Sequence, residues 1–231
     1  MTTAAAAATA QVEDMAEGVG DDTSRPRRRR RTREDVSQRI KDAAARLFAE
    51  RGYAATTTKE IARLADVSET LLFRYHGDKA TLFSQVVTEP FQGLMDDFIA
   101  RNPDPTAADF TRHATRPFTR RVYELFEQNE ALFRAVMAGP HAGAEEGRVN
   151  PLKGLDGFFH QSVDQVLRRY AKKGEKPSFD LSIGVRLGLG MIAASVVMRD
   201  SLFPDGDPDR EALIGALEEI VERALGGPRL D

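Results

Sequence analysis

The sequence predicts an all-α protein of about nine helices. Apolar residues recur with the 3.6-residue period of a helix through most of the chain after residue 33. Helix-start signals recur as well, in the form of a Ser, Thr, Asp or Asn just before a periodic apolar stretch. No alternating or β-branched run requires a strand.

The composition bounds the class of protein. Its hydrophobic share of 41% and charged share of 30% are ordinary for a soluble globular chain, and no stretch approaches the roughly 18–20 apolar residues of a membrane span. Met1–Gly20 lacks the basic start and apolar core of a secretory signal. Because the chain has no Cys, disulfides, thiolate chemistry and Cys-based zinc sites are excluded. We therefore expect a cytoplasmic protein.

The net charge of −3 is unevenly distributed along the chain. Residues 1–23 carry five acids and no Lys or Arg, whereas residues 24–89 carry 15 Lys and Arg against 9 Asp and Glu. Residues 90–231 are acidic again, with 18 basic residues against 22 acidic ones. A basic block of this kind suits the binding of phosphates, although a solvated basic face has the same composition.

An arm over residues 1–33 is expected to be disordered. It runs from an Ala-rich stretch into RPRRRRRTR, with too little apolar surface to fold. A basic tail either adds nonspecific attraction to phosphates or inserts into a minor groove, and both roles place it near DNA. The arginines assigned to DNA binding on this ground are Arg27, Arg28, Arg29 and Arg30.

Four helical patterns follow the arm, and the middle two are short and meet at a tight turn. The first covers Val36–Phe48, with Gly52 as its stop signal. Two compact helices joined in this way can place the second one in the major groove of DNA. The residues that predict the next three helix starts are Thr57 with Glu60 in capping-box spacing, Ser68, and Asp78.

The remaining helices are predicted from later cap residues. A proline directly after a cap suits the first turn of a helix, because an N–H there has no partner within the helix. Pro117 interrupts a helical pattern over 106–127 and is expected to kink or split it. The predicted starts are Asp104-Pro105, Asn129, Asn150-Pro151, Ser178 and Asp207-Pro208, and the Ser178 helix runs to about Arg199.

A resemblance to a known family lies in the segment IKDAAARLFAERGYAATTTKEIARLADVSETLLFRYHGDKATLF. Its motifs AARLFAERGYAATT, IARLADVS and LLFRYHGDK are similar to those of the TetR family of bacterial transcriptional regulators. The resemblance implies a homodimer that binds a palindromic operator and releases it when a small molecule enters the C-terminal domain. It divides the chain into the arm over 1–33, a three-helix helix-turn-helix DNA-binding domain over 34–80, and a helical ligand-binding and dimerisation domain over 81–231.

The resemblance assigns a DNA-facing set to the helix-turn-helix. Within it, Arg74 is suited to guanine and Glu69 to the N4 amino group of cytosine. Hydroxyl and ammonium groups near helix starts are suited to phosphates, and this applies to Thr58, Tyr75 and Lys79. The full set is Thr58, Lys59, Ser68, Glu69, Thr70, Leu71, Phe73, Arg74, Tyr75 and Lys79.

Four positions depart from the family pattern. Asp66 stands where the turn usually has Gly, and Asp tolerates a left-handed backbone better than most residues. Leu71 replaces a Thr, Phe73 replaces a Tyr, and His76 replaces a buried Phe. These changes bear on which operator is bound rather than on the mode of binding. Leu72 is expected to point inward.

The C-terminal half is rich in Phe and Met, which as a group indicate an apolar ligand pocket. Taken one at a time, each of these residues is equally suited to packing in the core. The ligand-binding set comprises Phe91, Met95, Phe98, Phe110, His113, Phe126, Met137, Phe158, Phe159 and Met191. Neither a metal site nor a cofactor is expected, because no His pair has the spacing of metal ligands.

The last two long helices are expected to form the dimer interface, as the resemblance implies. Small residues on one helix face would let two helices approach closely. The segment Gly188–Ala193 has the G-x-G-x-x-A spacing of a dinucleotide-binding fingerprint, but close helix packing explains it better. The interface set is Gly184, Gly188, Ser195, Leu213, Leu217, Ile220 and Ala224.

Two function classes follow from these patterns. The first is a ligand-responsive transcriptional repressor that binds double-stranded DNA as a homodimer. The second is an α-helical enzyme, which lacks support because no nucleophile–base pair, metal-ligand spacing or credible phosphate loop is found. A DNA-binding regulator without a small-molecule ligand, or an activator, remains open on the sequence alone.

Overall fold

The computed structural model describes residues 32–107, 110–138 and 153–225. Within these ranges the chain is helical and contains no strand, so the predicted all-α fold is confirmed. None of the described helices is both long and apolar enough to cross a membrane. The helices are α1 (Arg33–Ala55), α2 (Thr58–Ala65), α3 (Glu69–His76), α4 (Lys79–Arg101), α5 (Arg116–Gln128), α6 (Glu130–Ala138), α7 (Asp156–Lys173), α8 (Leu181–Val197), α9 (Arg199–Leu202) and α10 (Arg210–Leu225).

Short local hydrogen bonds begin and end the first three helices. The Thr57 side chain accepts from the N–H of Glu60, and the Glu60 carboxylate accepts from the N–H of Thr57 at 3.0 Å, as the capping-box spacing predicts. Ser68 Oγ accepts from the N–H of Leu71 at 3.1 Å. Asp66, between α2 and α3, has φ 54° in the left-handed region. The predicted tight turn is therefore present.

The predicted stop at Gly52 is also found. Its φ of 77° breaks the helical geometry of α1, whose last residues follow as a short extra turn. The hydroxyl of Thr56 then donates to the carbonyls of Leu47 and Gly52, which fastens the end of α1 to the start of α2.

α4 is 23 residues long and carries Pro90 at its middle. Its first half lies against α1, where Lys41 Nζ pairs with Glu89 at 2.5 Å. Its second half lies against α5 and α7, and Asp97 there forms an ion pair with Arg121. The helix thus continues past the predicted domain boundary at residue 80 and contacts both parts of the molecule.

The remaining helices pack as a bundle in which α5 contacts α8 and α10, and α7 contacts α8. α6 lies against α1. Pro117 lies in the first turn of α5, directly after a π-helical turn at Thr111–Thr115, so the helix type changes there while the main chain stays helical. Ion pairs between described residues join α5 to α10, among them Arg116–Glu222, Arg120–Glu218 and Glu127–Arg210.

Three predicted helix starts are wrong. α8 begins after Asp180, whose carboxylate accepts from the N–H of Ser182, and not at Ser178. α10 begins at Arg210 because Asp209, rather than Asp207, accepts from a main-chain N–H of the first turn. Asp104 accepts from the N–H of Thr106 in a turn that does not continue as a helix. In the first two cases a neighbouring Asp takes the capping role instead of the predicted residue. The predicted start at Asn150-Pro151 lies outside the described residues.

Candidate nucleic-acid interface, cavity and groove

A face of exposed polar and basic side chains runs over α2 and α3. Arg74 and Thr70 are four residues apart on α3 and are both exposed, as is Lys59 on α2. Phe73, also on α3, leaves 44% of its surface exposed although it is aromatic. Leu72 is completely buried, which confirms that it points inward. The exposed members of the predicted DNA-facing set are Lys59, Ser68, Thr70, Phe73 and Arg74.

Two members of the set are bonded to each other. The Thr58 hydroxyl donates to Glu69 Oε1, which links the first turn of α2 to the first turn of α3. A hydroxyl has one proton to donate, so in this arrangement Thr58 does not offer it to a phosphate. The contact instead holds the Glu69 carboxylate in place at the start of the exposed helix.

Lys79 has a structural role that its sequence position does not reveal. Its ammonium donates to the carbonyls of Tyr53 at 3.0 Å and Thr56 at 2.9 Å, and it lies 4.3 Å from the centre of the Tyr53 ring. Burial lowers the pKa of this ammonium below its usual range. Two of its three N–H groups thus bind carbonyls at the end of α1 and attach α4 to it. At most one N–H group is left for the predicted phosphate contact.

Leu71 and Tyr75 are half-buried and pack against the core. The guanidinium of Arg33 lies 5.5 Å from the centre of the Tyr75 ring, which brings a basic group of α1 beside α3. Sequence reasoning missed both this contact and Arg63, an exposed residue of α2 one helical turn after Lys59. The i, i+4 spacing of Lys59 and Arg63 was the signal that could have identified Arg63.

The predicted contacts Arg27, Arg28, Arg29 and Arg30 lie outside the described residues.

A second feature is a cavity of about 90 Å³ between α4, α5, α7, α8 and α10. Aromatic and aliphatic side chains form most of its wall. Three of the predicted ligand-binding residues line it: Phe98, Phe110 and Phe158. An apolar pocket is therefore present among the described residues, at the end of α4 far from α3.

The other predicted pocket residues lie elsewhere. Phe91, Met95 and Phe126 are buried core residues, and Phe91 makes edge-to-face contacts with Phe126 and Phe133. His113 and Met137 are exposed. The Phe159 ring lies under the guanidinium of Arg186, and Met191 lines a separate groove. For the buried residues the physical reason is that an apolar or aromatic side chain indicates burial, whereas the space between helices decides which buried residue borders a cavity.

Polar groups enter the cavity wall from one face of α7. Gln165 is 8% exposed, and its buried Oε1 atom has no hydrogen-bond partner. Arg169, one turn later, donates to the carbonyls of Pro105 and Ala107, and burial lowers the pKa of its guanidinium. Sequence reasoning missed both residues, although they share a helical face with Phe158 and Ser162. That spacing was the available signal.

A third feature is an apolar groove between α8 and α10. Leu187 is 68% exposed, Ile183 57% and Ile220 49%, all large for apolar side chains. Sequence reasoning missed Ile183 and Leu187. The groove is lined chiefly by Phe179, Ile183, Leu187, Met191, Ile220 and Ala224.

The predicted interface set only partly coincides with this groove. Ile220 and Ala224 line it, and Gly184 and Gly188 lie at its base. A Cβ at Gly188 would lie 2.9 Å from Leu225 of the same chain, so the glycines allow α10 to approach α8 within one protomer. The remaining members face inward: Ser195 and Leu217 are buried, and Leu213 packs against the core. Among the described residues, no three His, Asp or Glu side chains could hold a metal ion.

Sequence comparison concerns the part of the chain that holds α2, α3 and the adjoining parts of α1 and α4, which we call the reading end. Residues 40–86, which cover α2, α3 and parts of α1 and α4, match the family model of bacterial regulatory proteins, tetR family. Over these residues the chain is similar to the tetR family. It is 45% identical over 54 residues to an uncharacterised HTH-type transcriptional regulator of Bacillus subtilis, a match covering 23% of this chain and 29% of that protein. It is 44% identical over 69 residues to an HTH-type transcriptional repressor of Mycobacterium tuberculosis, covering 28% and 37%.

The chain thus matches about a third of the length of these curated relatives. Both relatives are HTH-type regulators of transcription, which is the class predicted from the sequence. Solved structures share the fold over most of the chain. The fatty acid degradation regulator FadR of Bacillus halodurans covers 80% of this chain and 97% of its own, with a TM-score of 0.62 at 16% identity. FadR of Bacillus subtilis, solved with stearoyl-CoA, covers 81% and 98%, with a TM-score of 0.62 at 17% identity.

Proposed function

We propose that this protein is a transcriptional repressor that binds a palindromic operator as a homodimer and releases it when a mainly apolar effector binds. The observation that carries the proposal is the exposed face of α3, where Arg74 and Thr70 project from a helix held by the Ser68 cap and the buried Leu72. A short helix held in this way can enter a major groove. The repressor relative in Mycobacterium tuberculosis supports the direction of regulation. Because the operator is chromosomal DNA, we place the activity in the cytoplasm.

The groove between α8 and α10 supports the homodimer. Three large apolar side chains, Ile183, Leu187 and Ile220, are about half or more exposed on one face. Contiguous apolar surface of this kind is unfavourable in water unless something covers it. A second copy of the same two helices, related by a two-fold axis, would cover it and would place two α3 helices on the two halves of a palindrome.

The cavity supports an apolar effector. Its wall combines Phe98, Phe110 and Phe158 with a single unsatisfied acceptor, Gln165 Oε1. Ligand pockets have this composition, since apolar lining supplies affinity and a few polar atoms fix orientation. The related folds of FadR from Bacillus subtilis and from Thermus thermophilus were solved with stearoyl-CoA and with lauroyl-CoA, respectively. Compounds with a long acyl chain are therefore the first class to test here.

Selection from a pool of random duplexes tests the DNA-binding part. We expect a palindromic site whose affinity falls steeply with salt, because several phosphates are contacted per subunit. Arg74→Ala should lower affinity for this site by about 5–150-fold, the range of one to three kcal/mol for a base contact, and leave a scrambled duplex unaffected. Arg63→Ala, one helix away, should weaken both duplexes alike. Equal losses on both duplexes for Arg74→Ala would contradict its role in reading bases.

Thermal-shift measurements with lauroyl-CoA, stearoyl-CoA and the free fatty acids test the effector part. We expect at least one of them to raise the unfolding temperature and to weaken operator binding by roughly 5–150-fold, as a coupling of one to three kcal/mol requires. Val185→Phe, which fills the cavity, should abolish the thermal shift. Compounds that stabilise the protein without changing operator affinity would indicate a regulator that does not respond to this class of ligand.

A further inference from the structure

A buried histidine joins three helices at the reading end. His76 is the last residue of α3, and only 4% of its surface is exposed. Its Nδ1 lies 2.7 Å from Gln85 Oε1 on α4, and its Nε2 lies 3.3 Å from Ser37 Oγ on α1. The resemblance leads one to expect a Phe here, which would form neither hydrogen bond. The ring therefore connects α3 to two helices by polar contacts.

The partners determine where the ring proton lies. Gln85 Oε1 can only accept, so Nδ1 must carry a proton to donate to it. Ser37 then donates its hydroxyl proton to Nε2, and both ring nitrogens are satisfied in the neutral imidazole. Two directional bonds on opposite sides of the ring oppose its rotation and fix the end of α3 to both neighbours.

α3 has only eight residues, so the placement of its last turn decides where its exposed side chains point. Its start is held by the Ser68 cap and its middle by Leu72, whose contacts are apolar and not directional. Arg74, two residues before His76, is exposed on the opposite side. A base contact needs correct placement of the donor, since hydrogen bonds weaken steeply as their angle departs from linear.

We propose that His76 is a positioning residue for operator recognition, which orients α3 through its bonds to Gln85 and Ser37. This inference rests on the proposed DNA-binding function. The bond to Gln85 also ties α3 to α4, the helix that continues to Phe98 at the cavity. The orientation of the reading helix therefore follows that of the first half of α4.

Three substitutions distinguish the contributions of the two hydrogen bonds of His76. His76→Phe removes both of them. His76→Asn places an amide N–H where Nδ1 stands and retains the bond to Gln85, whereas His76→Gln reaches the place of Nε2 and retains the bond to Ser37. The readout is the ratio of affinities for the selected operator and for a scrambled duplex, with the unfolding temperature measured in parallel. The same substitutions at His160, an exposed residue of α7, are the matched controls.

We expect His76→Phe to lower the ratio by about tenfold, the size of one lost base contact, with little change in affinity for scrambled DNA. His76→Asn, which keeps the bond to Gln85, should retain most of the affinity ratio of the unaltered protein. His76→Gln, which keeps only the bond to Ser37, should retain little of it, because the bond to Gln85 is the shorter one. The controls at His160 should leave the ratio unchanged. A ratio that is unaffected by His76→Phe, or that follows the unfolding temperature through all three variants regardless of which bond remains, would overturn the positioning role.

Nitrogen-15 NMR of the imidazole provides a test that needs no DNA. We expect His76 to show the Nδ1–H tautomer in the intact protein. The Nε2–H tautomer would overturn the proposed bonding. If the unaltered protein selects no sequence, the proposed function fails and the positioning role falls with it. If it selects an operator that His76→Phe reads equally well, only the positioning role fails.

Discussion

The reading end and the bundle around the cavity differ in the polar contacts that begin or join their helices, although His76 and Lys79 also make long-range contacts at the reading end. At the reading end, the polar contacts that begin helices join residues three positions apart, as in Thr57 with Glu60 and Asp78 with Thr81. In the bundle, the main polar contacts join α5 to α10 over 83–106 positions, as in Glu127 with Arg210 and Arg116 with Glu222. The first kind depends on local sequence, whereas the second depends on the complete tertiary structure.

This difference matches what each region is proposed to do. A helix that reads bases has to keep one geometry, and local caps together with a buried Leu72 and His76 define that geometry closely. A region that responds to a ligand needs a cavity and contacts that can rearrange around it. Long-range ion pairs at a partly exposed surface contribute little stability each, so they can be exchanged at modest free-energy cost.

The largest expected effect comes from the groove between α8 and α10. Leu187→Asp places a charge in the proposed apolar interface, where an uncompensated charge costs several kcal/mol. We expect the dimer to dissociate at micromolar concentration in sedimentation experiments and operator affinity to fall by at least about a hundredfold. Leu187 is preferable to Gly188, because a side chain at Gly188 would collide with Leu225 of its own chain.

Leu167→Asp is the control for this experiment. Leu167 is 44% exposed on α7 and does not line the groove. A variant Leu187→Asp that is folded and still dimeric would show that the dimer forms through another surface.

The second prediction concerns the junction of α1 with α4. Lys79→Met leaves the carbonyls of Tyr53 and Thr56 without these bonds, and we expect the free energy of unfolding to fall by about 1–3 kcal/mol in urea titrations. Lys59→Met, at an exposed position, should change it by less than about 0.5 kcal/mol. If Lys79→Met weakens DNA binding while the stability stays unchanged, Lys79 acts mainly on phosphates, as its sequence position first suggested.

The third prediction concerns the cavity. Gln165→Leu removes a buried acceptor that has no partner, so we expect the ligand-free protein to gain about 1 kcal/mol, or roughly 2–4 °C in unfolding temperature. The same change should weaken any effector that donates a hydrogen bond at this position. Gln161→Leu is the matched control, because Gln161 accepts from Gln92 and should not stabilise when replaced. A loss of stability in Gln165→Leu would indicate that the amide has a structural partner.

The smallest expected effect is a loss of stability at low pH, where the carboxylates at the starts of α2 and α4 become protonated. Hydrogen bonds from the N–H and hydroxyl groups of Thr81 lower the pKa of the Asp78 carboxyl, and the Thr57 hydroxyl lowers that of Glu60. A carboxyl whose pKa is lower in the folded state stabilises the fold above its unfolded-state pKa, and this contribution is lost as the pH falls through the folded-state value. We therefore expect the unfolding temperature to fall below about pH 4.

Calorimetry of Asp78→Asn across that range checks this prediction. The variant should be less stable than the unaltered protein at neutral pH, and the difference should shrink on acidification. Asp205→Asn, in the exposed loop before α10, is the control. A difference between Asp78→Asn and the unaltered protein that stays constant with pH would show that the Asp78 charge does not contribute.

The same contrast explains which features could be predicted from the sequence. The starts at Thr57, Ser68 and Asp78, the left-handed Asp66 and the inward Leu72 depend on neighbours within a few residues, and all are confirmed. The resemblance and the place of Lys79 at a helix start predict a phosphate contact. Its partners in the structure could not be predicted, because Tyr53 and Thr56 lie 23–26 positions away and bind through main-chain carbonyls, which have no sequence signature.

The cavity was harder to predict for a related reason. A Phe-rich sequence indicates that there is a core, but a cavity exists only where packed helices leave space between them. Phe98 and Phe91 have the same composition-based signal, yet the first borders the cavity and the second lies in the core. Similarly, Gly184 and Gly188 signalled a close helix approach, and the structure shows that the approaching helix belongs to the same chain.

Pro90 makes α4 easier to bend at its centre than an uninterrupted helix of the same length. Eleven residues precede it and eleven follow it within the helix, and its missing N–H leaves the carbonyl of Val86 without the usual main-chain bond. The helix is therefore weakest against bending at its centre, between a half fastened to α1 through Glu89 and a half fastened to α5 through Asp97. We therefore expect a change at the cavity to alter the angle between the two halves of α4 rather than to shift the helix along its axis.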